Sequence, residues 1–377
     1  MAGYIFTLGK KPTAYGNYER AVKNGVYGTI FKQPNNNYWH AVQESTFGDY
    51  LGMRKGDHVY FFFERKIYGV GELDCVANDV KLLNYPCSDI PITNNSDGSM
   101  MIEDDKDIRV VITFKPAPLF FKKGIDMDLV LQSNPAEFKM LRVMWGVSFI
   151  KIADKEDNAL FDVILRENIG DYFGDEGIIF DGTAHKKIET SASMYDYKFT
   201  ADNLIKNTVS DGLIGHEMVI ECDLIEKLTK NDCVGIFGKW DYVSHQVVAS
   251  PFKPIDYMDK IDIFGYEKIE GFNSISRYMC VEIKKSTASV SLISQVMKYV
   301  DWIKDEYAHG DYSMIEAYVV SRGFSAEVIK YANENGIRNY TKGFREEMRN
   351  NVWAKINLIE YYYDGLSGEL RYRKINE

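Results

Sequence analysis

The sequence predicts an α/β protein, α+β overall, in which an aromatic, β-rich N-terminal part precedes a C-terminal part built on a mixed sheet. Three observations carry this expectation. The chain has 377 residues, enough for two domains at about 150 residues each. Its first part holds runs of aromatic and β-branched residues broken by turn signals. From position 276 onward, strand and helix patterns alternate, as in parallel strands joined by crossover helices.

In chain order, HVYFFFERKIYGVGEL (58–73) follows the turn signal Lys55-Gly56-Asp57 and predicts a hairpin turning at Glu64-Arg65-Lys66. TNNSDGS (93–99) reads as a loop, and IRVVITFKPAPLFF (108–121) as a strand stopped by Pro116 and Pro118. An apolar burst at Met140, Leu141, Val143, Met144 and Trp145 precedes Ala159, Leu160, Val163 and Ile164 at helical spacing. From 154 to 181, nine acids face two bases, a net of 2 − 9 = −7. This acidic belt, ending in Gly174 to Gly182, predicts a solvated helix face and a boundary. The expected domains are therefore 1–170 and 215–377, with 171–214 as a connector.

EMVIECDLIEKLTK (217–230) predicts an amphipathic helix with Met218, Ile220, Leu224, Ile225 and Leu228 apolar. VGIFG (234–238), VSHQVVASPF (243–252), MDKIDIFGY (258–266) and SRYMCVEIKK (276–285) read as strands. SLISQVMKYVDWIKDEY (291–307) is a helix and MIEAYVVSRGF (314–324) a strand. SAEVIKYANENG (325–336) is a helix capped by Ser325 and stopped by Gly336.

Composition excludes several classes. With 45% hydrophobic and 27% charged residues, the chain is neither disordered nor collagen-like nor a coiled-coil rod. No window approaches the ~18 consecutive apolar residues of a membrane span, and the N-terminus lacks a secretory pattern, so no membrane partner is expected. Five scattered cysteines without a CxxC pair argue against a disulfide framework or zinc site and suit a cytoplasmic protein. The net charge of −10 counts against indiscriminate coating of nucleic acid, which needs cationic surface. A Walker A motif, a Gly-x-Ser-x-Gly elbow and a His-Glu-x-x-His helix are absent.

The pattern that carries chemistry is in the C-terminal half. Asp262 lies in the strand KIDIFGY, and twenty residues later Glu282 and Lys284 lie in CVEIKK. Positions two apart in a strand share a face, so Glu282 and Lys284 project together while Val281 and Ile283 pack the other way. Two acids and a lysine at one sheet edge suit metal-assisted phosphodiester hydrolysis: carboxylates hold a hard cation, which activates water, and the lysine orients water or offsets charge. Glu221 lies on the inward stripe of Leu224, Ile225 and Leu228, where a carboxylate needs a partner or a metal. Glu217, Asp223 and Glu226 share its helix, and Asp256 and Asp259 are rivals to Asp262 outside an apolar strand.

In these residues the chain resembles the PD-(D/E)XK nuclease superfamily, over about 215–340. Gln295 and Tyr299 look like the Gln-x-x-x-Tyr element of its RecB-like branch, and IECDLIEKL like the upstream acidic helix. The nearest pattern is the NucS/EndoMS-like subgroup. The resemblance implies that Asp262 and Glu282 hold Mg²⁺ (Mn²⁺ as a substitute), with the Ile283 carbonyl as a further ligand. It implies that Lys284 positions the attacking water, that Glu221 helps organise the metal, and that Gln295 and Tyr299 orient Lys284 or contact DNA. Seven bases and four acids between Arg322 and Lys355, a net of 7 − 4 = +3, suit backbone contact or a solvated face.

The run 38–73 resembles the EVE, ASCH and YTH group of PUA-like β-barrels through Trp39, Gly56-Asp57, Gly69 and Gly71, with MWGVSF (144–149) similar to the group's closing motif. That resemblance implies a reader of a flipped, modified base, since an extruded base regains stacking on aromatic faces. Trp39, Phe47 and Trp145 would form the cage, and Ser45 or Asp49 would bond the base edge. His40 and His58 have no metal-ligand spacing and read as structural or surface residues. Together the resemblances imply an Mg²⁺-dependent endonuclease acting on double-stranded DNA in modification-dependent restriction, with a homodimer suited to double-strand cutting. A repair nuclease acting on mismatches or DNA structures is the alternative within the class, and a non-catalytic DNA-binding protein the alternative outside it.

Overall fold

The computed structural model describes residues 1–8, 13–31, 41–84, 108–141, 149–193, 196–249, 259–343 and 348–375. Trp39, His40, Trp145, Asp256, the 93–99 segment and most of MWGVSF lie outside the described residues, as does the side chain of Ser45. The fold is mixed α/β with several sheets, and its contacts divide into units of Met1–Phe199 and Thr200–Glu377. The 171–214 segment is thus shared between the two. Among the described residues no helix is long and apolar enough to cross a membrane, and Cys75, Cys222, Cys233 and Cys280 are free thiols.

In chain order the N-terminal unit comprises β1 (Gly3–Thr7), α1 (Ala14–Asn24), β2 (Val26–Phe31), α2 (Ala41–Leu51), β3 (His58–Phe63) and β4 (Lys66–Leu73). Then come β5 (Lys81–Asn84), β6 (Ile108–Pro116), β7 (Ile125–Asp126), α3 (Met127–Ser133), β8 (Phe149–Ile152), α4 (Asp154–Glu167), α5 (Ile169–Gly174) and α6 (Thr183–Ala192). They build one sheet in the order β2-β6-β4-β3-β1-β8, with β5 on β6 and β7 on β4. The hairpin expected at 58–73 forms, and its turn is the two residues Glu64 and Arg65, at φ 52° and 58°. Two left-handed residues match the twist of the flanking strands, and Lys66 already pairs with Phe63.

The aromatic load is spent on the core. Phe63 and Tyr68 stack across the hairpin with centroids 4.2 Å apart, and Tyr18, Phe61, Phe114 and Phe120 pack around them. Such pairs add about 0.5–1.5 kcal/mol each beyond the area they bury. Gly25 ends α1 at φ 64°, and a Cβ there would stand 2.3 Å from the Phe114 carbonyl, so only glycine fits.

The acidic belt differs from its expected solvated face. α4 packs Leu160, Val163 and Ile164 into the core, and its first turn is buried. Asp157, 1% exposed, accepts from Tyr60 Oη at 2.8 Å and pairs with His58 Nδ1 at 2.8 Å. Glu156, 3% exposed, accepts the N–H groups of Leu141 at 2.8 Å and Met140 at 3.2 Å. Burial pushes the Glu156 carboxyl up to about 7 against those two donors. A charge count along the chain cannot see these partners, because they come from other strands and loops.

The C-terminal unit comprises α7 (Ala201–Thr208), β9 (Val209–Ser210), β10 (Leu213–Ile214), α8 (Glu217–Lys230), α9 (Val234–Phe237), β11 (Tyr242–Val248), β12 (Lys260–Lys268) and β13 (Ile275–Thr287). It continues with α10 (Val290–Glu306), β14 (Ile315–Gly323), α11 (Ala326–Asn335), β15 (Arg338–Lys342), β16 (Arg349–Trp353), β17 (Ile356–Asp364) and β18 (Glu369–Lys374). Its main sheet runs β11-β12-β13-β14-β17-β18, with β13, β14 and β17 parallel and the outer pairs antiparallel. α10 is the crossover between β13 and β14. Ser325 caps α11, its Oγ accepting from Val328 N at 3.3 Å.

One expected strand is a helix. VGIF at 234–237 forms α9, a single turn whose Phe237 carbonyl takes the Trp240 indole N–H at 2.7 Å and the Tyr318 hydroxyl at 3.1 Å. Three apolar residues interrupted by Gly235 have no period to separate strand from helix; the side chains packed around Phe237 decide.

Candidate active site

The β12–β13 ladder pairs Ile263 with Val281, and the same register carried one step further sets Asp262 across from Glu282. There the ladder gives way to a side chain. The Ile283 N–H donates to Asp262 Oδ2 at 2.8 Å, fixing the carboxylate against β13. Glu282 and Lys284 follow on one face of β13, as their spacing predicts. Lys284 Nζ lies 3.6 Å from Glu282 Oε1 and 3.2 Å from Glu217 Oε2.

α10 contributes its predicted pair. Gln295 Nε2 donates to Glu282 Oε1 at 2.9 Å and lies 2.8 Å from Tyr299 Oη, which in turn donates to the Lys260 carbonyl at 2.9 Å. Gln295 therefore orients Glu282 directly. Glu282 is 2% exposed, and its second oxygen, Oε2, is buried without a hydrogen-bond partner.

The four acids of α8 separate by geometry. Asp223 is bound by Lys227 at 2.7 Å and Tyr372 Oη at 2.6 Å, and Glu226 accepts the Ala201 N–H at 2.6 Å. Glu217 and Glu221, four residues apart on one stripe, face the site instead. Glu221 Oε1 lies 3.3 Å from His245 Nδ1 and 3.5 Å from Gln246 Nε2, whose amide also reaches Asp262 Oδ1 at 3.4 Å. Gln246 sits at φ 52° between the pairs His245–Ile263 and Val247–Ile261. A left-handed glutamine in a strand is strained, and here it bridges a helix carboxylate to a strand carboxylate. The rival Asp259 is exposed ahead of β12.

These groups shift one another. Burial raises the Glu282 carboxyl well above its usual range, and the Asp262 charge adds to the rise. Burial likewise raises Asp262, followed by the Glu221 charge. Burial pulls Lys284 down, but the carboxylates of Glu282, Glu217 and Asp262 outweigh it, so its ammonium is held above the ordinary lysine value. Acids in excess of bases, with one buried oxygen unpaired, leave the cluster short of positive charge.

A hard divalent cation fits that deficit. Among the described residues no three His, Cys, Asp or Glu side chains form a ready cage. The oxygen donors that would suit Mg²⁺ there are the carboxylates of Asp262 and Glu282, with remaining positions left to water and a phosphate.

Of the expected base-binding residues, Trp39, Trp145 and the side chain of Ser45 lie outside the described residues, which leaves Phe47 and Asp49. Phe47 is fully buried in α2 and packs on Phe199 with centroids 6.2 Å apart, so core contacts occupy the ring that the cage would need. Asp49 is partly exposed on the same helix. His58, held by Asp157, has the structural role expected of it. Glu217, His245 and Gln246 were not singled out by the sequence as site residues. The i, i+4 spacing to Glu221 marks Glu217, whereas the backbone turn that aims Gln246 leaves no sequence signal.

No family model matches the chain, and no curated protein matches it. Among solved structures, a repair endonuclease from Pyrococcus abyssi is similar over 29% of this chain and 43% of its own length, at 23% identity and a TM-score of 0.19. The matched part spans less than half of that endonuclease.

Proposed function

We propose that the C-terminal unit is a metal-dependent phosphodiester hydrolase that cuts DNA. The observation that carries this is Glu282: its carboxyl is raised by burial and then by the Asp262 charge, Gln295 orients one oxygen, which lies 3.6 Å from the Lys284 ammonium, and the other oxygen is buried without a partner. Asp262 and Glu282 would hold Mg²⁺, with the Ile283 carbonyl as a candidate third ligand. A bound Mg²⁺ supplies Lewis-acid polarisation of the phosphate and an acidified water. Lys284, kept protonated by its neighbours, donates hydrogen bonds that orient water and offset charge growing on the phosphate. Glu217 restrains the lysine, Gln246 and Glu221 fix the outer side of Asp262, and Tyr299 holds Gln295 in place.

The finer reading is a PD-(D/E)XK nuclease domain joined to a PUA-like N-terminal domain that reads a modified base in restriction of foreign DNA. The 1–170 boundary, the reader role and the cytoplasmic setting belong to that proposal, as does a dimer for double-strand cutting. What supports the nuclease half is the site above. The reader half rests on the sequence pattern around Trp39 and Gly69 to Gly71.

The test is cleavage of modified, unmodified and mismatched duplexes by wild type and Glu282→Gln, with Mg²⁺, Mn²⁺ or EDTA. Cleavage of modified DNA alone, dependent on metal and Glu282, supports the whole reading. A preference for mismatched duplex keeps the nuclease and replaces restriction by repair. DNA binding without cleavage in any arm leaves a binding protein.

A further inference from the structure

β15 and β16 form a two-stranded ribbon outside the main sheet, and its two faces differ. In the register Arg338–Trp353, Tyr340–Asn351 and Lys342–Arg349, one face carries these six residues. This face is tied down. Arg338 makes a bidentate bond to Asp301 at 2.9 Å through each nitrogen, and Trp353 Nε1 donates to the Ile315 carbonyl at 2.8 Å. Lys342 pairs with Asp311 at 2.6 Å, and the Tyr340 ring meets Tyr312.

The other face carries Asn339, Thr341, Asn350 and Val352, all exposed, Val352 at 63%. These residues line a concavity of about 380 Å³ together with Tyr340 and Asn351. It is a polar face on an immobilised ribbon. Thr341 Oγ1 donates to Asn350 Oδ1 at 3.1 Å, which sets the amide plane and leaves the amide N–H groups uncommitted by that bond. On the anchored side Arg349, across from Lys342, is exposed at the turn end.

We propose that this face enters the major groove of the DNA that the active site cuts, with Asn339 and Asn350 contacting base edges. The inference rests on the nuclease reading. Two strands about 4.8 Å apart make a ribbon that fits a groove about 12 Å wide, where Asn pairs with the N6 and N7 edge of adenine. An apolar side chain such as Val352 suits a thymine methyl. The exposed Arg349 suits a flanking phosphate. Asp301, which anchors the ribbon, lies six residues beyond Gln295 on α10, about 9 Å along one rigid helix. The ribbon and the site are thus held on a common element.

The experiment measures binding of a labelled A·T-rich duplex by the Lys284→Ala chain, with and without Asn339→Ala plus Asn350→Ala, and cleavage by the matching Lys284 chains. At least tenfold weaker binding by the double variant is expected, with the same half-saturation shift in cleavage and little change in turnover. Replacing adenine by 7-deazaadenine should weaken the parent and leave the double variant unmoved, since the N7 acceptor is then missing. Val352→Glu, an exposed change that leaves folding intact, should weaken binding as well. Cleavage by wild type with equal binding by all these variants overturns the ribbon proposal alone. A chain that neither binds nor cuts duplex DNA overturns the nuclease reading and this inference with it. Equal loss on an RNA duplex, whose major groove is too narrow for a ribbon, also overturns it.

Discussion

At the start of α4, Asp157 is 1% exposed and both its oxygens are engaged, one by the Tyr60 hydroxyl and one by the His58 ring. On β13, Glu282 is 2% exposed, yet one oxygen has no partner and its nearest neighbours include another raised carboxyl. The two residues are equally buried and differ in what surrounds them. A buried acid with a full set of donors ties strands and helix together. A buried acid left short of donors beside like charge costs stability, and that cost makes sense where a cation or a substrate is to be received.

The largest expected effect separates them by function. Glu282→Gln should lower Mg²⁺-dependent DNA cleavage by at least about 10²-fold while duplex binding persists, as gel cleavage and anisotropy would read. Its thermal midpoint should stay level or rise, because the change removes like-charge repulsion. A midpoint drop as large as that of an Asp157 variant would erase the distinction.

Asp157→Ala is the converse. Leaving His58 and Tyr60 unpaired in the core should cost about 3 kcal/mol by urea unfolding, with no direct effect on metal dependence. Third in size is the response to metal. Mg²⁺ or Mn²⁺ at 100 times its dissociation constant should stabilise the chain by about 2.7 kcal/mol, and EDTA should reverse this. Glu282→Gln should abolish the shift, while Asp157→Ala should retain it.

A buried base sharpens the same contrast. Lys151 in β8 donates to the Gly52 carbonyl at 3.2 Å, and burial pulls its pKa down to about 8. The folded state therefore releases this proton before the unfolded chain does, near 10.4. Stability should rise as pH climbs from about 8 toward 10, where the unfolded chain binds more protons. Lys151→Met should flatten that rise in melts taken across the range. The smallest effect belongs to Gln246. Gln246→Gly should relieve the left-handed backbone, gaining about 1 kcal/mol, and lose about tenfold in cleavage as Asp262 and Glu221 lose their bridge. A gain in stability with unchanged activity would remove Gln246 from the site.

Much of the site was legible before the structure because it is written in local periods. Glu282 and Lys284 share a face through the two-residue repeat of a strand, and Gln295 and Tyr299 through the four-residue step of a helix. Apolar neighbours such as Val281, Ile283, Val296 and Val300 fix which way each element turns. The hairpin at 58–73 and the cap at Ser325 were legible for the same reason.

What the chain order could not show is where elements from distant positions meet. Glu156 and Asp157 look like part of a solvated acidic run until residues 58, 60, 140 and 141 are brought beside them. The α8 acids are alike in sequence, and only Lys227, Tyr372 and Ala201 on one side, or Lys284 and Gln246 on the other, separate structural carboxylates from site carboxylates. By itself, then, the sequence determined the elements and the chemical groups each one presents, because period and capping are local. Tertiary structure alone decided which carboxylates are satisfied and which are not, because a hydrogen-bond partner's identity depends on packing between residues far apart in the chain.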